Sequence, residues 1–448
     1  MQFAEFKELA IARAKALGIA DYELYYQAAE SVSVSAFQKE LDRFTASSEG
    51  GVCFRCIVGG KMGYASTEAL NAQEAAAIVD RAVDNAQVLE AEEPVFLGQG
   101  GKTYAEAETA TYGLPATDAL IRKVLQTQQQ LYDTDPAVVD GSTTQGIAES
   151  MRIAISNSRG LDLCYENNVA GLVVGAVVDS GTEKANDHQI KLGALDKIDT
   201  VALTRKAVET AKGKLGGDVA PTGNYPVIFD PEAMSSLLSV FSGIFSAEVA
   251  QKGLSKLADK EGSRIAADTV TLVDDPFHKD NPFPIPFDAE GSPTARKCMI
   301  EKGVLQTLLY NLKTAAVAGK TTTGNAAKAG YDSSVRVMPF TMHLAAGEVT
   351  EQQLLEQANN GVYINSLSGL HAGANAVTGD FSLQSAGFLI ENGQKTKPVR
   401  SFTVAGNFYE LLQHIVAVAD NLELPGATGM TAFGSPSVLV EGLSIAGK

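Results

Sequence analysis

Residues 371–381, HAGANAVTGDF, hold one imidazole, one carboxylate, one hydroxyl and two glycines within eleven residues. Those types could serve as base, acid and backbone donors in a reactive loop. They also suit a tight turn, with Gly373 and Gly379 supplying the bends and Asp380 accepting backbone N–H bonds. His371 and Asp380 have no second base or metal ligand beside them in sequence, so the turn is the expected reading. Cys53 and Cys56 form CFRC, the spacing of many zinc ribbons and redox sites. On a strand, residues three apart face opposite sides, and no second pair exists to complete four ligands. Packing is therefore expected of both, and Cys164 and Cys298, each isolated, are expected to be small buried apolar residues. His278, in VDDPFHKD, lies near Asp274 and Asp275. A carboxylate–imidazole cluster binds divalent ions, but Asp-Asp-Pro also begins turns unaided, and the spacing imposes no ligand geometry. His343 lies in the alternating FTMHLAA, while His188 and His414 stand alone, and none of the five histidines forms a helical His-Glu-x-x-His pair.

Other reactive arrangements are missing. No G-x-x-x-x-G-K-[ST] phosphate loop occurs; TTTGNAAKAG (321–330) has the small residues without the Lys-Ser/Thr pair. A G-x-S-x-G nucleophile elbow is also missing. Lys and Arg total 36 against 53 Asp and Glu, a formal charge of −17, and no basic cluster appears. That balance argues against direct nucleic-acid binding. Four cysteines in 448 residues do not make a disulfide framework. The N-terminal stretch MQFAEFKELAIARAKALG spreads its charges rather than placing them before an apolar block, and no apolar run approaches a membrane span. A cytoplasmic protein is expected.

The elements that must position these residues follow from periodicity. Phe3, Phe6, Ala10, Ala14 and Leu17 mark a helix stopped by Gly18. Short alternating runs from Asp21 to about Ser66 read as strands and hairpins. Asn71 and Glu74 form a capping arrangement for a helix with a stripe at Ala75, Val79, Ala82, Ala86 and Leu89. The order then repeats: a helix at Leu120, Val124 and Leu131, strands from about Gln145 to Ser180, and a helix at Val201, Thr204, Val208, Ala211 and Leu215. ESVSVSAF is echoed by ESMRIAIS, and SSEGGVCFRCIVGG by CYENNVAGLVVGAV. Residues 1–220 thus read as a duplicated α-β-α unit, its halves either sharing one sheet or forming two. Residues 221–448 read as a β-rich domain with few helices: a buried helix over 232–252, and another capped by Thr350 and Gln353 that stops at Gly361. IENGQ signals a hairpin. The fold class is α+β.

The runs FDAEGSPTARKCMIEKGVLQTLLYN (287–311), TTTGNA, GVYINSLSGLHAGANAVTGDFSLQSAGFLIENGQ, VAGNFYELLQHI and SPSVLVEGLSIAG resemble the PmbA/TldE branch of the TldD/PmbA family, formerly called modulators of DNA gyrase. Similarity extends more weakly through the N-terminal half. The resemblance implies a two-subunit peptidase acting on peptides or unfolded proteins, including maturing peptide antibiotics and labile antitoxins. In that family the TldD-type subunit carries zinc on a helical His-Glu-x-x-x-His with a later Cys. Aligned here are Ser239, Val240 and Ile244, and no Cys follows Cys298. The resemblance therefore implies no catalytic, cofactor-binding or metal-ligating residue on this chain, with zinc expected in a TldD-type partner. His371 and Asp380 belong to a turn-rich signature shaping the chamber or the subunit interface. The alternative is a homodimeric regulatory or binding protein without proteolytic duty.

Overall fold

Phe6, Ala10 and Ala14, one helical turn apart, bury one side of α1 (Phe3–Ala16), and Gly18 follows in a left-handed conformation. The computed structural model describes residues 1–90, 94–106, 114–428 (426–428 as backbone) and 431–448. Strands β1 (Asp21–Phe37), β2 (Glu40–Val58) and β3 (Lys61–Thr67) form a meander closed by α2 (Ala72–Val88). Asn71 caps α2 by accepting from the Glu74 N–H. α3 (Thr117–Thr134), the meander β4 (Thr143–Asn157), β5 (Asp162–Asp179) and β6 (Lys184–Leu192), and α4 (Thr200–Gly213) repeat the pattern. The two halves share one sheet, in the order β3-β2-β1-β4-β5-β6, joined by antiparallel pairing of β1 with β4. β6 lies beyond the strands expected from the sequence.

Strand parity divides the labour of this sheet. Even-numbered side chains of β1 face the helices: Tyr22, Leu24 and Tyr26 pack with α1 and α2, and Val32, Val34 and Ala36 with α3 and α4. Gly63 of β3 lies so close to α2 that a Cβ there would sit 1.9 Å from the Ala82 carbonyl oxygen. The odd-numbered Tyr25, with Cys53, Met151, Ile153, Ile155 and Tyr165, faces the C-terminal region and packs on Ile285, Phe287 and Phe340.

That region begins with β7 (Gly223–Phe229) and α5 (Pro231–Phe241), followed by a 3₁₀ turn (Ser242–Phe245) and α6 (Ala247–Gln251). Next come β8 (Leu272–Asp274), β9 (Lys297–Glu301), β10 (Val304–Leu305), α7 (Leu312–Ala318), β11 (Ala326–Ala327), β12 (Arg336–Val337), β13 (Thr341–Leu344) and α8 (Glu351–Ala358). The chain ends with β14 (Gly361–Ser368), α9 (Leu370–Gly373), β15 (Asp380–Glu391), β16 (Gln394–Asn407), α10 (Phe408–Gln413), β17 (Ile415–Val418), β18 (Glu423–Thr428), β19 (Thr431–Ser435) and β20 (Val438–Ala446). One sheet runs β10-β9-β8-β13-β19-β18; another runs β16-β15-β14-β7-β20-β17, and an added β16–β20 pairing closes five of its strands on themselves. The apolar side chains of α5 share one core with residues from both sheets.

Three expectations are corrected. The single helix over 232–252 is broken, because Phe245 and Ala247 spend their backbone groups on Leu309: the Leu309 N–H donates to the Phe245 oxygen and the Ala247 N–H to the Leu309 oxygen, both at 2.9 Å. The helix capped by Thr350 stops at Asn359 (φ 55°), and Gly361 already begins β14. Cys164 is exposed, with Arg152 Nε donating to its sulfur at 3.4 Å, and Cys298 is half-buried. Among the described residues no helix is long and apolar enough to cross a membrane.

Candidate functional site

Ser239 and Val240 close the last turn of α5, and Ile244 lies in the 3₁₀ turn beyond it. The Ser239 carbonyl accepts from the Ser242 hydroxyl at 2.8 Å. Val240 packs against the main core, and Ile244 is wholly inside it. A hydroxyl and two aliphatic side chains, on a segment that is not one continuous helix, offer neither the imidazole pair nor the general base that a catalytic zinc requires. These positions do not fit the metal. Asp230 caps α5 through the Ala233 N–H at 2.8 Å, and burial pushes its carboxyl up to about 7.

The 371–381 stretch forms α9, a turn and the start of β15. Asn375 accepts from the N–H groups of Val377 and Thr378, and Asp380 accepts from Asn407 Nδ2 at 2.8 Å, which holds its carboxyl below the usual carboxylate range. Gly379 is required at φ 86°, where a Cβ would meet the Tyr409 ring. His371 is exposed, and no hydrogen bond joins it to Asp380. The expected role of Asp380 is therefore corrected: Asn375, not Asp380, accepts the backbone N–H bonds of this turn.

His278 and His343 do come together, ring centroids 4.9 Å apart. Burial, then the neighbouring His278, holds His343 below the ordinary histidine value. Asp274 is committed elsewhere: it pairs with Lys297 (3.0 Å) and accepts from Asn325 (2.8 Å) and the N–H groups of Phe340 and Thr341. Among the described residues no three His, Cys, Asp or Glu side chains are placed to hold a metal ion. Cys53 and Cys56 face opposite sides of β2, in the interdomain and helix-side cores respectively.

A set of buried charges lies where the N-terminal sheet meets the C-terminal region, and sequence reasoning missed it. Glu23 of β1 stands directly across from Arg55 of β2, with Arg55 Nε donating to its carboxylate at 2.7 Å; they are 1% and 7% exposed. Asn157 Nδ2 donates to the same carboxylate at 3.1 Å. The buried loop at 288–292 faces this pair: Asp288 accepts from the N–H groups of Glu290, Ser292 and Ala326, and Glu290 from that of Leu312. Burial drives both carboxyls well above the usual carboxylate range, and the Asp288 charge adds to the effect on Glu290 while Arg55 opposes it. The available signal was parity, since Glu23 and Arg55 interrupt otherwise apolar strands.

Comparison with known proteins agrees with this architecture. Residues 22–86, 115–215 and 222–447 match the PmbA/TldA metallopeptidase domain 1, central domain and C-terminal domain. The chain is 25% identical over 400 residues to a metalloprotease PmbA homolog of Haemophilus influenzae, covering 88% of this chain and 86% of that one. A solved structure of a candidate modulator of a DNA gyrase from Thermotoga maritima is similar, with TM-score 0.90 and 30% identity, covering 99% of this chain and all of that one. TldE from Thermococcus kodakarensis shares the fold, with TM-score 0.87 and 23% identity, covering 98% of this chain and 100% of that one. By the three domain matches and the shared α+β fold, the chain belongs to the PmbA/TldD metallopeptidase family.

Proposed function

We propose that this chain is the zinc-free subunit of a cytoplasmic two-subunit peptidase, enclosing and guiding an extended peptide or unfolded segment for a zinc-bearing TldD-type partner. One observation carries this reading: in a chain of metallopeptidase ancestry, Ser239, Val240 and Ile244 occupy the segment that the family resemblance equates with the zinc motif, and that segment is broken. A route for an extended chain is available by strand addition. Among the described residues β3 pairs with β2 only from Val52 to Val58, and the outer edge of β2 at residues 40–51 has no strand partner.

The test is metal analysis with a peptide-hydrolysis assay on the chain alone and on material co-expressed with a zinc-bearing relative. The expected result is no stoichiometric zinc and no chelator-sensitive cleavage alone, and both in the mixture. Stoichiometric zinc with cleavage by the isolated chain overturns the reading. The name of the Thermotoga relative suggests a second reading, a homodimeric regulator; a homodimer that captures gyrase and ignores every zinc-bearing relative supports that instead.

A further inference from the structure

We propose that the outer edge of β2 pairs with the same edge of a second copy of this chain, antiparallel and centred on Ala46. β1 accompanies β2 all the way to Glu40, whereas β3 stops at the Val52 pairing, so among the described residues one side of the β2 ladder has no strand partner over residues 40–51. A strand with half its ladder unpaired is a template for another strand. Leu41 and Phe44 stand directly opposite Ala36 and Val34, on the face that carries the helices. Ala36 and Val34 are wholly buried there, yet Leu41 and Phe44 are each 47% exposed. The edge therefore offers apolar side chains as well as backbone groups.

The charge pattern of this edge selects a second copy as its occupant. Arg43 and Glu49 lie at equal distances on either side of Ala46; both are exposed, and among the described residues neither has a charged partner. A two-fold axis through Ala46 sets Arg43 of each copy opposite Glu49 of the other, Phe44 opposite Ser48, Thr45 opposite Ser47 and Asp42 opposite Gly50. The match belongs to that register alone. Moving the axis by one residue sets Arg43 opposite Ser47 or Gly51, and placing it between residues sets the two faces of the strand against each other. The paired stretch also ends where β3 begins: a Cβ at Gly51 would already meet the Thr67 carbonyl oxygen and the Tyr331 ring, both at 2.6 Å. Charges on an edge strand usually keep copies apart, but these two, of opposite sign and symmetric about one residue, attract. In the function proposed above the same ladder receives a peptide, so a paired copy would hold that route shut.

The test is sedimentation velocity of the full chain alone over a concentration series. It needs neither zinc nor a partner subunit, so its failure leaves the peptidase reading standing. The expected result is a reversible monomer–dimer equilibrium. Arg43→Glu should weaken it about tenfold, by turning two attractive pairs into two repulsive ones, and Glu49→Arg likewise, while the two together should restore it. Cys164 is exposed, so cross-linking is done in a Cys164→Ser background. There a short thiol–thiol linker should join two copies of Ala46→Cys, which meet on the axis, and should not join two copies of Ser48→Cys. A monomer at every concentration up to roughly 0.1 mM, which would leave the edge to a peptide, overturns the assignment. So does a dimer that ignores Arg43→Glu, or one in which Ala46→Cys fails to cross-link.

Discussion

Replacing Glu23 by Gln keeps the volume of the side chain and its hydrogen bond to Asn157 but removes the charge facing Arg55. The guanidinium cannot lose its proton, so it stays charged at a position 7% exposed, between a sheet and a packed loop. Breaking a buried pair from one side costs about 3–5 kcal/mol, mainly the desolvation of the ion left behind. Glu290 compensates only in part: burial raises its carboxyl well above the usual range, although loss of the Glu23 charge eases its ionisation. Arg55→Met leaves a carboxylate instead, which can take up a proton, so its deficit should be smaller in acid and grow as pH rises. The double replacement Glu23→Gln with Arg55→Met removes both charges. It should cost about 1–2 kcal/mol, well below the sum of the two single replacements, so that a double-mutant cycle returns a clear coupling free energy. The chain has 13 Tyr and no Trp, so urea unfolding is best followed by circular dichroism and tyrosine emission. A Glu23→Gln cost under about 1 kcal/mol, or a double variant no better than the sum of the singles, would refute the claim that this pair is electrostatically isolated from solvent.

Asp230→Asn tests the cap of α5. The folded carboxyl titrates near 7 rather than at 3.8, so the folded state holds its proton more tightly. Stability from this group is present in acid and is lost as pH rises from about 4 to about 7. Asn retains an oxygen for the Ala233 N–H and should flatten the stability profile over that interval. The full shift is worth about 4 kcal/mol; partial solvation and the favourable helix-end charge reduce the expected gain at pH 8 to about 1–2 kcal/mol. Parallel profiles for the two proteins would contradict the assignment. Installing the motif as Ser239→His, Val240→Glu and Ile244→His should give no stoichiometric zinc by metal analysis, because Phe245 and Ala247 remain tied to Leu309 and the segment cannot continue as a helix. Tight one-to-one zinc in that variant would show that side-chain loss alone explains the missing metal.

Local physics made much of the fold readable. Ala75, Val79, Ala82 and Ala86 are buried because a helix repeats its faces every three to four residues, and the Thr350–Gln353 reciprocal cap forms because its geometry is confined to four residues. Asn392 and Gly393 take the positive φ that the IENGQ hairpin demands. Interactions between distant residues were not readable. The break after α5 is caused by Leu309, more than sixty residues downstream, while the segment itself keeps a helical apolar pattern. Strand periodicity showed which β1 residues alternate but not that β4 would be the partner joining the halves. Lys328 sits in TTTGNAAKAG, whose failure as a phosphate loop was plain; its burial depends on the opposing sheet, which no local pattern encodes.

The duplicated sheet explains why the buried charges gather where they do. With the helices of both halves on its even-numbered face, the opposite face is left to receive the C-terminal region. That contact meets the sheet near its middle strands, where neither side can reach water, and the loop it inserts carries Asp288 and Glu290. Two acids entering such a site must either hold protons or find cations, and the structure uses both solutions, raised carboxyls beside a fixed guanidinium. A purely apolar contact would be at least as stable by area. What the ionic version adds is register: Glu23 and Arg55 stand directly opposite one another in the observed alignment of β1 and β2, and a one-residue slip would turn one of them to the other face. The α5 segment and the 288–292 loop belong to the same C-terminal region, so the register of the sheet also bears on how that region sits against it.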